Sequence, residues 1–210
     1  NSNFLFQNNN YNNNKTKNLI KLIYKKKQNN DALINIDLSN TKSKINSKEF
    51  KKFFKFKNIN LQEQDITFAS ENLISFKLNK KNEIQNFSIK SILKSESILI
   101  DYKSQRIKKY FSNFKNQIKF TNSLLDLDYK NKKFKFKLKS KYSINNLNEN
   151  MSLNVEKKEN KYFFDLDLDL DSAEIEIDEL EYQKKAEIKS ALKINGIYKD
   201  NNEIIFKNID

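Results

Sequence analysis

Residues 162–182, YFFDLDLDLDSAEIEIDELEY, bring together nine carboxylates (Asp165, Asp167, Asp169, Asp171, Glu174, Glu176, Asp178, Glu179 and Glu181) without one basic side chain. Acids at this density could ligate a metal ion, act as paired catalytic carboxylates, or line the wet face of a β-sheet. A calcium loop needs glycine for its sharp bend and polar residues between the ligands. Here Leu166, Leu168 and Leu170 separate the aspartates. On an extended strand the Asp side chains share one face and the Leu side chains the other, with same-face neighbours about 7 Å apart, twice the rise per residue. Acids so spaced do not converge on one ion. Catalysis of the glycoside-hydrolase kind needs two acids with divergent pKa values in a concave site, and a row of similar acids does not separate them. The spacing supports the wet face.

The apolar parity then changes from even (Leu166, Leu168, Leu170) to odd (Ala173, Ile175, Ile177), as a tight turn at Asp171-Ser172 would produce. The predicted hairpin pairs Leu170 with Ala173 and Leu168 with Ile175. It also sets Asp169 against Glu174 and Asp167 against Glu176. Opposed like charges destabilise a ladder by up to about 1 kcal/mol per pair, so compensating lysines are expected beside them. Lys189 and Lys193 point away from Leu192 and Ile194, and antiparallel packing would lay them beside the Glu174–Glu176 row. The stretch KFKFKLKSK (133–141) likewise presents Lys135, Lys137, Lys139 and Lys141 opposite its Phe and Leu residues.

Composition narrows the chemistry further. The 210 residues could form one all-β domain or one and a half typical domains. Hydrophobic content is 37%, below the usual globular share, yet 17 Phe and 9 Tyr with Ile and Leu supply a core's worth of apolar surface. The chain has no Cys, His, Pro or Trp, one Gly, and a single Arg at Arg106. Zinc-finger ligands, a Cys nucleophile and an imidazole base are thereby excluded, as are a dinucleotide fingerprint and a P-loop. Gly, Pro, Arg and Trp use GC-rich codons while Lys, Asn, Ile and Phe use AT-rich ones, so much of this composition reads as the mark of an AT-rich genome. The net charge of +13 becomes +22 once the nine acids are set aside, enough for real phosphate attraction. Specific nucleic-acid recognition, however, usually brings Arg and exposed aromatics; here the aromatics alternate away from the lysines. No run of about 18 apolar residues is present, and no signal-peptide pattern opens the chain. The chain starts on Asn1 and stops at what reads as a strand end, EIIFKNID, so it is expected to be a window on a longer protein, with any anchor outside it.

Period-two alternation dominates and predicts strands with one wet face. It runs through Ile34/Ile36/Leu38, Ile66/Phe68, Ile74/Phe76/Leu78, Phe87/Ile89, Ile98/Ile100/Tyr102, Leu125/Leu127/Tyr129, Phe134/Phe136/Leu138, Met151/Leu153/Val155 and Phe164/Leu166/Leu168/Leu170. Ala173/Ile175/Ile177, Ile188/Leu192/Ile194 and Ile204/Phe206 complete the series. Polar runs at 79–82, 129–133, 156–160, 181–185 and 199–202 are predicted turns, with Asn and Asp standing in for glycine. Asn195-Gly196 reads as mid-strand rather than as a hairpin, the glycine marking a bulge. Short helices are predicted at 47–56, with Ser47 as N-cap, and at 104–114. NLIKLIYKKK (18–27) is too short to assign. Residues 1–30 are expected to be a low-complexity, poorly ordered lead, and 31–210 a single antiparallel β-meander, a curved open sheet or groove with one or two short helices. About ten strands offer apolar residues to one side with no long helix to cover them. Such a sheet either folds over on itself or leaves a binding surface.

FKLNKKNEIQNFSIKSIL, NSLLDLDYKNKKFKFKLKSKY and YFFDLDLDLD followed by IDELEYQKKAEIKSALKINGIYKDNNEIIFKNI resemble the long β-rich region of AsmA-like envelope proteins, the AsmA, TamB and YhdP group. The likeness covers most of residues 31–210 and is one of pattern, with no catalytic motif. It implies a segment of a longer, repeat-built β-groove, periplasmic and anchored to the inner membrane by a segment not present here. Phospholipid acyl chains would travel along its apolar lining between the two membranes. The lining residues expected are Phe134, Phe136, Leu138, Leu153, Val155, Phe164, Leu166, Leu168, Ile175, Ile177, Leu192 and Ile194. No residue is expected to be catalytic, and neither a metal, a cofactor nor a specific nucleic acid is expected. A basic RNA-binding or ribosome-associated protein from an AT-rich genome, and a structural β-protein without a ligand, are the other readings.

Overall fold

A computed structural model describes residues 3–8, 18–26, 31–49, 60–102, 109–111, 114–144, 148–199 and 203–210. Among the described residues fourteen strands are formed. The first six are β1 (Asn3–Asn8), β2 (Asn18–Lys26), β3 (Ala32–Asn46), β4 (Asn60–Leu61), β5 (Asp65–Leu78) and β6 (Ile84–Asp101). Then follow β7 (Gln117–Lys130), β8 (Lys133–Ser143), β9 (Glu149–Lys158), β10 (Lys161–Asp169), β11 (Ile175–Ile177), β12 (Tyr182–Lys184), β13 (Ala191–Lys199) and β14 (Ile204–Ile209). Twelve of them make one antiparallel sheet in the order β1-β2-β3-β5-β6-β7-β8-β9-β10-β13-β14, with β4 added beside β6. The sheet is not closed, so β1 and β14 are its edges. The fold is the open all-β meander that the alternation predicts.

Asparagine takes over the conformational work of glycine. Asn82, Asn86, Asn116, Asn122 and Asn131 all have positive φ, a region the short Asn side chain tolerates better than other non-glycine residues. Asn131 and Lys132, at φ 49° and 67°, form the two-residue β7–β8 turn whose twist suits a hairpin. In the β5–β6 turn, Asn79 Oδ1 accepts the Lys81 and Glu83 amides at 2.9 and 3.0 Å. Gly196 has no positive φ; it lies mid-strand at a register shift against β14, as expected. The glycine is needed for space: a Cβ there would stand 2.5 Å from the Ile205 carbonyl oxygen and 2.7 Å from the Phe164 ring.

Three expectations need correction. The sheet does not wait for residue 31, since β1 and β2 lie within the expected lead and pair with each other and with β3. The turn at Asp171-Ser172 forms, with the Ala173 amide donating to the Leu170 carbonyl at 3.2 Å, but no hairpin follows it. Instead β10 pairs with β13, and β11 pairs with β12 in a separate two-stranded ribbon. Strand β12 occupies part of the turn expected at 181–185, and Ile188, expected in a strand, is exposed ahead of β13. The reason is the long polar stretch after Ile177, which lets residues 170–190 fold as a local unit while Leu192 and Ile194 find a better apolar match in β10.

Of the helix expected at 47–56, residues 47–49 are helical, and the remainder lies outside the described residues. Asn46, not Ser47, caps it, its Oδ1 accepting the Lys48 amide at 2.9 Å. Ser47 is fully buried and its Oγ accepts the Gln64 amide at 3.2 Å. Of the helix expected at 104–114, residues 109–110 are helical, 111 and 114 are not, and the rest lies outside the described residues, as do the lead at 9–17 and the turn residues 200–202.

The two ends of the strands differ. At one end the connections β5–β6, β7–β8 and β9–β10 are short turns. At the other end a core forms: Leu61, Ile66, Phe114, Tyr142, Leu170 and Ala173 are all buried.

Candidate functional site

Antiparallel register puts paired residues on the same face, and the pairs define continuous apolar rows. One row crosses ten strands: Leu22, Ile36, Ile74, Ile89, Tyr129, Phe134, Lys157, Tyr162, Tyr198 and Ile204. The next runs Leu127, Phe136, Val155, Phe164, Gly196 and Phe206. Another runs Leu93, Leu125, Leu138, Leu153, Leu166, Ile194 and Ile209. Met151, Leu168 and Leu192 form a fourth. Aromatic rings meet along these rows, with Phe134 and Phe136 stacked at 6.2 Å between centroids and Phe164 edge-on to Phe206 at 6.4 Å.

Ten of the twelve lining residues expected from the sequence therefore share one patch: Phe134, Phe136, Leu138, Leu153, Val155, Phe164, Leu166, Leu168, Leu192 and Ile194. Every one of them is only half-buried. Ile175 and Ile177 do not join them. They sit in β11, paired to Lys184 and Tyr182 of the separate ribbon, because β13 has taken the place they were expected to fill beside β10. The β2–β7 part of the same face, including Leu22, Tyr24, Ile34, Ile36, Ile74 and Ile89, was not among the expected lining residues although its alternation was visible. Only pairing partners could join it to the patch.

A line of small polar residues crosses this face toward the packed end. Asn40 Nδ2 donates to Ser70 Oγ at 2.6 Å, Asn72 Nδ2 to the same Oγ at 3.0 Å, and Ser91 Oγ to Asn72 Oδ1 at 2.6 Å. Ser123 and Ser140 are joined at 2.8 Å. Register shifts at Asn40/Ser43 and Thr121/Leu124 fall along the same line, as bulges do where a sheet bends.

The opposite face carries the charges and balances them strand by strand. Lys90 faces Asp128, which faces Lys135, which faces Glu156; the Lys135–Glu156 ion pair measures 3.3 Å. Asp167 is flanked by Ser152 and Lys193, and Ser152 Oγ donates to it at 3.2 Å. The feared Asp-against-Glu ladder does not exist. Lys193 does stand beside an acid row, but it is the Asp165–Asp169 row of β10. Hydrogen bonds from Lys158 and Lys135 hold the Glu156 carboxyl below the usual carboxylate range. Among the described residues no group of three or more acids is arranged to hold a metal ion, and none of the described helices is long and apolar enough to cross a membrane.

The segment 170–190 has a polar centre that the sequence did not announce. The Lys184 side chain is 3% exposed, and its ammonium donates to the carbonyls of Asp171, Ala173 and Lys185 at 3.1, 2.8 and 3.2 Å. Three donors meet three acceptors, which is what a buried ammonium requires. Beside it the buried Glu149 accepts the Ser172 amide, and the Tyr142 hydroxyl donates to the Asp169 carbonyl. Burial, reinforced by Glu149, Asp169 and Asp171, raises the Tyr142 pKa well beyond its ordinary range. All polar contacts here close on the protein itself, so this end is a structural plug.

At the short-turn end the apolar rows finish in a cleft of about 630 Å³ lined by Tyr129, Asn131, Lys132, Lys133, Phe134, Lys157, Glu159, Asn160 and Tyr162. Its size is that of a small-molecule site. Lys157 Nζ lies 4.8 Å from the Tyr162 ring centroid, and Tyr162 is 6.0 Å from Tyr198. Aromatic floor and lysine rim are thus continuous with the apolar face.

No protein-family model matches the chain, and no curated protein or solved structure is significantly similar to it. What defines the molecule is its own geometry: an open antiparallel sheet, apolar on one face and charge-balanced on the other.

Proposed function

We propose that the apolar face binds lipid acyl chains, and that the chain is a non-enzymatic segment of an AsmA-like envelope protein shielding phospholipid tails in transit between inner and outer membrane. One observation carries this reading: four rows, apolar apart from Lys157 in the first, lie half-buried or, in β14, exposed on a sheet that is not closed, with no second layer over them among the described residues. Contiguous apolar surface of this extent marks a binding surface. The length fits. From Tyr162 to Leu168 the β10 strand runs about 20 Å, enough for one acyl chain in a bilayer leaflet of about 15 Å, half the hydrocarbon thickness. A periplasmic setting and an anchor elsewhere in the protein belong to the same proposal.

Gentle purification followed by lipid extraction and mass spectrometry is expected to recover phospholipid in near-stoichiometric amount. A protein that carries none and fails to take up fluorescent fatty-acyl probes, while remaining folded by circular dichroism, would sink the proposal. The nucleic-acid reading predicts instead a salt-dependent gel shift with generic RNA.

A further inference from the structure

Taking the acyl-chain reading as its premise, we infer that the cleft at the short-turn end is a subsite for an anionic phosphate headgroup, which orients the bound lipid with its head at the turns. The clefts at the two ends of the strands that carry the patch differ in charge. At the turn end, Lys130, Lys132, Lys133 and Lys161 are exposed and make no ion pair among the described residues. Glu159 is the one acid lining the cleft. At the far end of the same strands stand Glu149, Asp169, Asp171 and Glu187, lining a smaller acidic cleft, and the buried Lys184 of the same segment is consumed by three carbonyls. Lysines also stand at the far end (Lys139, Lys141, Lys185 and Lys189), but acids line the cleft there, whereas Glu159 is the single acid lining the turn-end cleft. On the opposite face Lys135 and Lys137 of β8 stand opposite Asp128, Glu156 and Asp126; at the turn Lys133 stands opposite Lys130, so the charge of Lys132 and Lys133 is left for a ligand.

The chemistry follows from position. A lipid whose chains lie along the strands, across the apolar rows, reaches the aromatic belt of Tyr129, Phe134 and Tyr162 where its ester region begins, and its phosphate then falls among Lys132, Lys133 and Lys157. Amphipathic Tyr and Lys side chains suit such a boundary, with apolar stems on the lipid and polar tips in water. The reverse orientation would set the phosphate among Glu149, Asp169 and Asp171, where like charges repel it.

The test uses the 210-residue chain, its tyrosine emission as readout since it has no Trp, and four probes at about 0.15 M salt, the physiological level. These are dioctanoyl phosphatidylglycerol, dioctanoyl phosphatidylcholine, dioctanoylglycerol and glycerol 3-phosphate. Phosphatidylglycerol is expected to bind about tenfold more tightly than the neutral lipids, the scale of one charge-assisted hydrogen bond. K132N/K133Q should abolish that gap while leaving dioctanoylglycerol binding unchanged; Asn also suits the positive φ at 132. K185Q/K189Q, at the far end, should leave the gap intact. Equal binding of charged and neutral lipids overturns the headgroup subsite and leaves the acyl-chain reading standing. Glycerol 3-phosphate binding as tightly as phosphatidylglycerol makes the cleft a free-phosphate site and overturns the orientation. Failure of every lipid overturns both.

Discussion

The two ends of the sheet solve the same problem in opposite ways. At the long-connection end side chains close on the chain itself: Ile66 and Phe114 pack at 2% and 3% exposure, and Lys184 spends its three protons on three carbonyls. Across the open face, residues of the same types stay half-buried, and at its turn end Lys132 and Lys133 make no ion pair among the described residues. At the first end folding alone accounts for side-chain identity. On the open face it does not, because an apolar residue that the chain itself leaves half wet returns only part of its burial energy. Apolar rows kept under those conditions point to an external occupant.

The largest effect should separate the two ends. Ile66→Ala, in the closed core, is expected to cost about 3 kcal/mol, and Leu153→Ala, on the open face, about 1 kcal/mol, by urea unfolding. Acyl-probe uptake should show the reverse order, unchanged for the first and reduced for the second. Equal stability losses would mean that the open face is covered by something and would erase the contrast.

Next in size is Gly196→Ala, expected to cost about 2 kcal/mol through overpacking against the Phe164 ring and the Ile205 carbonyl. Hydrogen exchange should localise the loss to Ile204–Ile209, where β14 pairs at the register shift. Protection unchanged in β14 would show that the ring swings aside at no cost.

The smallest effects are in pH. Burial holds the Tyr142 hydroxyl protonated well above its usual pKa of about 10. The unfolded chain therefore ionises first, and this contribution, complete below pH of about 10, is lost as pH rises further. Glu156 runs the other way. Its lowered pKa gives stability that is present above the ordinary carboxylate range and is lost as pH falls through the folded value. Tyr142→Phe should flatten the alkaline limb of a thermal-stability profile and leave the acid limb alone; an unchanged alkaline limb would place the tyrosine's ionisation elsewhere.

Legibility followed locality. Phe134/Phe136/Leu138 and Phe164/Leu166/Leu168 were readable as half-wet strands because side chains alternate faces within one strand, a property of the backbone that needs no partner. The same holds for Asn131 in its turn. The neighbour of β10 was not readable. Ala173, Ile175 and Ile177 have the right parity and the nearer position, but β13 supplies nine paired residues against three, and Lys193 where an acid would have stood. The burial of Lys184 was equally hidden, since its three acceptors are backbone carbonyls that any sequence possesses.

By itself, then, the sequence settled the fold class, the wet and dry parities of each long strand, and the absence of thiol and imidazole chemistry. Those depend on residue type and on spacing along the chain. Tertiary structure alone decided which dry faces join into one surface, which end is plugged and which is open, and where lysine is left without an acid. Those depend on register between strands far apart in sequence, and a shift of one residue would have turned every side chain to the other face.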